Sequence, residues 1–258
     1  MCIRDSIKIL VGQKGSQYYD SGGNPTTATS GGGGTFVVKA PYNTTESILV
    51  IAGGGGSRRE FPDAPRPSTT NASTETSGKD GYKNGDLGNG GSDGSGGTVD
   101  AVSSASAGAG FSGDGPVANT GHQTAAQSFI NGGVGAISTH TNAANVPGGF
   151  GGGGVMGWGG AGGGGGYSGG GTGANVGSYS GGGGSYNNGT NKDNNVGITS
   201  GHGKVIIAKI TDAYLNSSLY AFTSHIFTNC GAEGRFGPTL QHCKNCLLYT
   251  SPSPRDRG

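Results

Sequence analysis

Residues 148–171 read GGFGGGGVMGWGGAGGGGGYSGGG, with 17 glycines in 24 positions. Glycine loses more backbone entropy on folding than any other residue. A glycine tract with nothing to stabilise it is a flexible tether. Here the runs are short and differently capped. They recur at 53–56, 151–154, 162–166, 169–171 and 181–184, with Phe150, Trp158, Tyr167, Tyr179 and Tyr186 spaced among them. Polyproline-II-type backbone has about three residues per turn and no internal hydrogen bonds. Its N–H and C=O groups point sideways and require partners when buried. Rods lying side by side supply those partners only if their axes approach closely. Side chains forbid that approach and glycine permits it, as at the collagen axis. The expectation is a lattice of glycine rods drawn from distant parts of the chain, its faces covered by the five aromatics. Lateral hydrogen bonds, each worth about 0.5–1.5 kcal/mol net, then offset the entropy.

The remaining apolar residues fall into strand-like runs. Residues 7–12 (IKILVG), 35–39 (TFVVK), 47–52 (SILVIA) and 204–210 (KVIIAKI) are rich in Val and Ile and flanked by Gly, Asn or Pro. Residues 123–130 (QTAAQSFI) are the best short helix candidate. Short strands with turn signals and little helix predict an all-β fold, a small antiparallel sandwich. Its framing strands occupy 7–52 and its closing strand 204–212. The glycine-rich insertion at 53–203 is too long to be a structureless loop inside a compact domain. Residues 58–77 within it, rich in Pro, Ser and Thr, read as exposed loop.

The two ends are related to each other. Residues 246–251 (CLLYTS) back-translate as TGT CTC TTA TAC ACA TCT. The reverse complement, AGATGTGTATAAGAGACA, read from its ATG, encodes Met1 through Asp5 and the first base of Ser6. Residues 1–6 and 246–258 are therefore read as adapter-encoded scars and set aside. On that reading Met1 is no natural start, and the lack of a signal peptide carries no information. The chain is then a piece cut at both ends.

The chain carries 16 Lys and Arg against 15 Asp and Glu. Without the scar residues 13 of each sign remain, a neutral balance that removes the main electrostatic motive for a nucleic-acid partner. Residues 148–186 contain no Lys or Arg, so stacking on single strands lacks its positive groove. No apolar run approaches the roughly 18 residues that span a bilayer. Cys230 and Cys243 remain once Cys2 and Cys246 are set aside. They form one disulfide in an oxidising compartment or stay free thiols. With His225 and His242 they offer four zinc ligands, but the spacing H-x4-C-x11-H-C lacks a knuckle, and no metal is assigned.

Nothing in the sequence assembles a catalytic site. There is no P-loop, since Val205 follows Gly203-Lys204, and no nucleophile-elbow context. His202 reads as a turn residue at a strand start. Asp80, Asp86, Asp93 and Asp114 sit beside glycines, but no repeated nonapeptide supports calcium. No cofactor is implied. Sequons at Asn43, Asn71, Asn188 and Asn216 are about as many as chance supplies in so Asn-, Ser- and Thr-rich a chain.

The string GTFVVKAPYNTTESILVIAGGGGSRRE, then FSGDG, SFINGGVGA, GGFGGGG, GGAGGGGGYSGGG, GGGGSYNNG and GHGKVII, spans about 35–210. In order and spacing it resembles the extracellular glycine-rich domain of the anaplastic lymphoma kinase and leukocyte tyrosine kinase receptors. The resemblance implies a tumour-necrosis-factor-like β-sandwich with an inserted bundle of polyglycine-II helices. It also implies a non-catalytic, ligand-binding role. No kinase signature accompanies it: there is no VAIK, HRD or DFG. Similar glycine-rich domains look widespread outside animal receptors, including in phage adhesins. Residues 227–243 (FTNCGAEGRFGPTLQHC) in the 213–245 tail resemble a segment of tail-fibre and microbial surface proteins.

The sequence therefore predicts a binding or adhesion module at a cell or virion surface, facing a protein or glycan ligand, with no nucleic acid and no membrane span. The alternatives are part of a phage tail fibre or microbial surface protein, and an ectodomain fragment of a receptor tyrosine kinase. A disordered glycine-rich matrix protein is argued against by the framing strands. Trp158, Tyr167, Tyr179 and Tyr186 are the candidate ligand-binding residues, because Trp and Tyr supply most interface hot spots. The competing role for these four is packing on the glycine rods.

Overall fold

The computed structural model describes residues 6–19, 25–59, 67–82, 87–100, 105–118, 121–139, 146–157, 159–174, 177–197, 200–208 and 248–252. In chain order the strands are β1 (Ile7–Leu10), β2 (Gln17–Tyr19), β3 (Pro25–Thr29), β4 (Thr35–Lys39), β5 (Ile48–Ala52), β6 (Arg58–Arg59), β7 (Ile137–Ser138), β8 (Val146–Pro147), β9 (Ser178–Tyr179), β10 (Tyr186–Asn187), β11 (Gly203–Ile207) and β12 (Leu248–Pro252). Among the described residues, helix is confined to two 3-10 turns, Thr45–Ser47 and Ser68–Thr70. The fold is all-β and antiparallel.

The principal sheet has the order β1-β4-β5-β10. Its register stacks Leu10 against Phe36, Phe36 against Ile51 and Ile51 against Tyr186, one row across all four strands. Because side chains alternate along a strand, that row belongs to one face, and Ile9, Val37, Val50 and Asn187 to the other. The register shifts between Val37 and Val38, where Leu49 is skipped, so Val38 and Ile48 also reach the first face. Phe111, Phe129 and Tyr167 from the glycine-rich part complete the core there with Leu10, Phe36, Val38, Ile48 and Ile51. Phe129 stacks on Phe36 at 5.0 Å and on Phe111 at 5.4 Å. Aromatic burial of this kind carries the largest apolar areas available to the chain.

The smaller ladder β11–β12 lies against β4 and β5. These are inner strands, so the contact is made over a face. Val37 and Val50 are buried, whereas Ile7 and Ile9 on edge strand β1 stay exposed. Strand β12 belongs to the segment read as adapter-encoded. Ladder bonds use main-chain groups alone, so the pairing carries no information about the segment's origin.

The glycine runs bond laterally, and the pattern is not that of a sheet. Gly32 donates to Gly55 at 2.8 Å, Gly54 to Gly165 at 2.7 Å and Gly165 to Gly32 at 2.9 Å. Three runs thus bond to one another in a closed triangle. A second triangle joins three runs through Gly164 to Gly181, Gly181 to Gly171 and Gly170 to Gly164, at 3.0, 2.9 and 2.8 Å. In a sheet the two neighbours of a strand do not bond to each other, so this packing extends in three dimensions. Run 31–34, which precedes the insertion, is part of it. A Cβ added at Gly164, Gly170 or Gly182 would lie inside 3.0 Å of another run's carbonyl oxygen or of the Asn71 carbonyl.

No helix forms over residues 123–130. Gln123 bridges Ser138, and Ala126 bridges Gly115. Ala126 is buried with Ala109, Ala136 and Val155, a packing demand that outweighs local helix propensity.

Candidate functional site

The aromatic candidates separate by position. Tyr179, 2% exposed, sits in the β6–β9 ladder opposite Arg58, with its ring 6.4 Å from that of Tyr82. Tyr167, 6% exposed, belongs to the core under the principal sheet. Burial pushes its phenol pKa up, and a hydrogen bond with Thr45 opposes that shift. Tyr186 is half-buried at the outer edge of the sheet, its ring centroid 4.9 Å from that of Tyr167. Trp158 lies outside the described residues, as do Cys230, Cys243, His225 and His242.

Tyr186 lines a cleft of about 450 Å³ together with Thr74, Glu75, Thr76, Asn188 and Lys192. Local bonds hold its rim. The Ser185 N–H donates to the Glu75 carbonyl at 2.8 Å, and the Asn188 N–H to the Leu49 carbonyl at 3.0 Å. The Asn187 side-chain amide donates to Asn194 Oδ1 at 2.9 Å, while its own Oδ1 accepts the Gly189 N–H at 2.9 Å. The cleft combines one aromatic ring, several amides and hydroxyls, and one charge of each sign. That chemistry suits a neutral ligand with hydroxyl groups on an apolar frame. In the sequence only Tyr186 stood out. The polar run NNGTNKDNN beside it was a visible signal, but Glu75 comes from a stretch that reads as loop.

Two of the acidic candidates, Asp80 and Asp114, have structural partners. Asp80 Oδ1 accepts the Gly90 N–H at 2.7 Å. Asp114 Oδ1 accepts the Ser128 N–H at 2.7 Å and the Asn131 side-chain amide at 2.9 Å. Asp93 has a left-handed backbone, φ 51°, and heads the bend before Gly94. Asp86 lies outside the described residues. Among the described residues, no three His, Cys, Asp or Glu gather as a metal-holding group. His202 precedes β11, where its Nδ1 accepts the Lys14 N–H at 3.3 Å.

Tyr18, 1% exposed, is a buried titratable group the sequence reading passed over. Its hydroxyl donates to the Met156 carbonyl and accepts the Met156 N–H, both at 3.0 Å. Burial drives its pKa far up, against the hydrogen bonds to Met156 and Ser138. It stays neutral and staples β2 to the glycine-rich part. No helix among the described residues is long and apolar enough to cross a membrane.

Compared with known proteins, the chain matches no protein-family model and no curated protein.

Proposed function

We propose that this chain is a non-catalytic binding module of a cell or virion surface, and that it holds a glycan in the Tyr186 cleft. The glycine runs are polyglycine-II rods, and the principal sheet with the closing strand β11 is a small sandwich of the tumour-necrosis-factor-like type. Triangular bonding between runs supports the rods, and the two faces of β4–β5 support the sandwich. A bundle so stabilised is a rigid scaffold, and a rigid scaffold holds a binding site with little ordering cost. One observation carries the site assignment: Tyr186 is the candidate aromatic that lines a cleft, backed by Tyr167 and ringed by amides and hydroxyls. The ring offers an apolar face to the C–H side of a sugar, while Asn187, Asn188 and Thr74 meet its hydroxyls.

Two relationships are part of this reading. The order of glycine runs and strands links the module to the receptor-kinase glycine-rich domains. The 227–243 segment favours display on a tail fibre or microbial surface instead. Recovering the coding sequence beyond both ends separates these settings.

The binding claim is tested on a glycan array followed by titration of the best ligand. Tyr186→Ala is expected to weaken binding by about tenfold or more, and Tyr186→Phe, which keeps the ring, to retain it. Binding that ignores Tyr186→Ala, or no glycan bound, removes the assignment.

A further inference from the structure

The principal sheet has two outer edges, and they differ. The β10 edge is two residues long, and the Ser185 N–H just before it donates to the Glu75 carbonyl at 2.8 Å, so a neighbouring segment occupies that side. The β1 edge is open. Along an antiparallel pair, residues alternate between bonding to the partner strand and facing away from it. Ala40 donates to the Ser6 carbonyl at 3.3 Å, and the register sets Ile7 opposite Lys39. Ser6, Lys8 and Leu10 are therefore the residues that bond toward β4. The N–H and C=O groups of Ile7 and Ile9 point out of the sheet. Val11, next in line, makes no main-chain hydrogen bond among the described residues.

The side chains at this edge are apolar. Ile7 and Ile9 share one face, and Val11 continues the alternation; they are 44%, 44% and 40% exposed. Proteins guard an open edge with a charge, a proline or a bulge. Here the pairing of β1 with β4 runs without a register shift. The strand's one charge, Lys8, lies on the opposite face. Its ammonium is 4.9 Å from the Tyr42 ring centroid and 5.8 Å from that of Phe129, away from the apolar row.

We propose that β1 pairs antiparallel with β1 of a second copy of this chain. The edge is self-complementary, and that selects a second copy over an unrelated strand. A two-fold axis at Ile9 sets Ile9 opposite Ile9 of the other copy, and Ile7 opposite Val11. Outward-facing residues then meet outward-facing residues, and each such pair exchanges two main-chain hydrogen bonds. The Ile and Val side chains form one apolar row across the joint, as favourable cross-strand pairs do. Lys8 falls opposite Leu10. An axis at Lys8 would instead set two ammonium groups directly opposite each other, which is destabilising. The two four-stranded sheets become one continuous sheet. With the β10 edge occupied, a two-fold contact closes at the dimer. Strands this short make a small interface, below about 1,200 Å², so the dimer is weak and reversible. The inference stands apart from the ligand assignment.

Sedimentation velocity of the full chain, run from about 5 μM to about 500 μM, is expected to show a rising dimer fraction. Over the same range the Ile7, Ile9 and Val11 amides are expected to gain protection from hydrogen exchange. Ile9→Pro removes an outward N–H that β4 does not use, a substitution edge strands tolerate. Ile9→Lys sets a charge on the axis. Each is expected to raise the dimer Kd at least about tenfold. Ile9→Lys changes only an exposed side chain, keeps the monomer's Tm, and carries the test if Ile9→Pro unfolds. A chain that stays monomeric throughout, or a dimer that tolerates Ile9→Lys, overturns the proposal. So does a dimer with those three amides unprotected, which would place the contact elsewhere, such as the outer edge of β12.

Discussion

A methyl group on Gly164 would meet the Gly54 carbonyl oxygen, and one on Gly182 the Asn71 carbonyl oxygen, both inside the 3.0 Å that real Cβ atoms keep. Neither acceptor is the end of a mobile side chain. Each is backbone: the Gly54 carbonyl accepts the Gly183 N–H at 2.9 Å, and Asn71 closes the Ser68–Thr70 turn through its N–H to the Ser68 carbonyl at 3.2 Å, so main chain must shift to admit the methyl. Forcing extra carbon into a packed interior costs typically about 1–3 kcal/mol. For a chain of this size that corresponds to a fall in Tm of about 3–10 °C for Gly164→Ala or Gly182→Ala. Alanine is otherwise the better residue, since it limits the unfolded chain. At Gly32 the atom nearest an added methyl is 3.4 Å away, an ordinary contact, and Gly32→Ala should leave Tm unchanged or slightly raised. Differential scanning calorimetry of the three variants checks this. Equal, small effects at all three would mean that the runs are not packed as rods.

At the scale of elements, the segment from Ser128 to Gly133 decides how the glycine-rich part meets the sheet. It turns back on itself through bonds from Gly132 to Phe129 and from Gly133 to Ser128. Gly132 and Gly133 have φ of 110° and 69°, which side chains rarely adopt. Asp114 ties the turn with its two accepted bonds, and the turn delivers Phe129 into the core. Partial burial raises the Asp114 pKa, and the bonds from Ser128 and Asn131 outweigh it, leaving the pKa below the ordinary carboxylate value. A carboxyl depressed in the folded state contributes stability above its unfolded pKa, about 3.9 for Asp. That contribution is lost as pH falls through the lower, folded value. The stability gap between the wild type and Asp114→Asn should therefore be full near pH 6 and shrink toward about pH 2. Urea unfolding at a series of pH values measures it, and a gap independent of pH would mean the carboxylate charge does no work in the turn. This turn also shows what was legible. IKIL, TFVVK, ILVIA and KVII form strands because their β-branched residues suit a pleated surface locally. QTAAQSFI has an equally local helical look, yet Ala126 is claimed by Ala109, Ala136 and Val155, and Phe129 by Phe36 and Phe111. Those partners are remote in sequence, and no local pattern announces them.

At the scale of the molecule the same limit applies to the glycine runs. Their existence was plain, but one run of four glycines looks like another, so which run bonds to which was not. Run 31–34 joins the network through Gly55, Gly165 and Gly154, although it lies among the framing strands. The Tyr186 cleft likewise needs Glu75 and Lys192 from segments more than 100 residues apart. What joins the two halves is aromatic. Phe36 of the sheet, Phe129 of the turn and Phe111 beyond it form one stack, with the Lys8 ammonium 5.8 Å from the Phe129 centroid. Phe129 is 6% exposed, and truncating such a ring to alanine costs about 3–5 kcal/mol. Most of that loss falls on the junction, because the lateral bonds among the runs and the ladders of the sheet do not involve the ring. Phe129→Ala should therefore lower the overall Tm and also weaken coupling. Native-state hydrogen exchange is expected to report one shared opening free energy for the Val37 and Gly165 amides in the wild type, and two separate values in the variant. If the variant unfolds as a single unit with the wild-type Tm, the stack does not hold the glycine bundle to the sheet. The joint would then reside in the hydrogen bonds that lead from Gly34, Gly54 and Tyr167 to neighbouring runs.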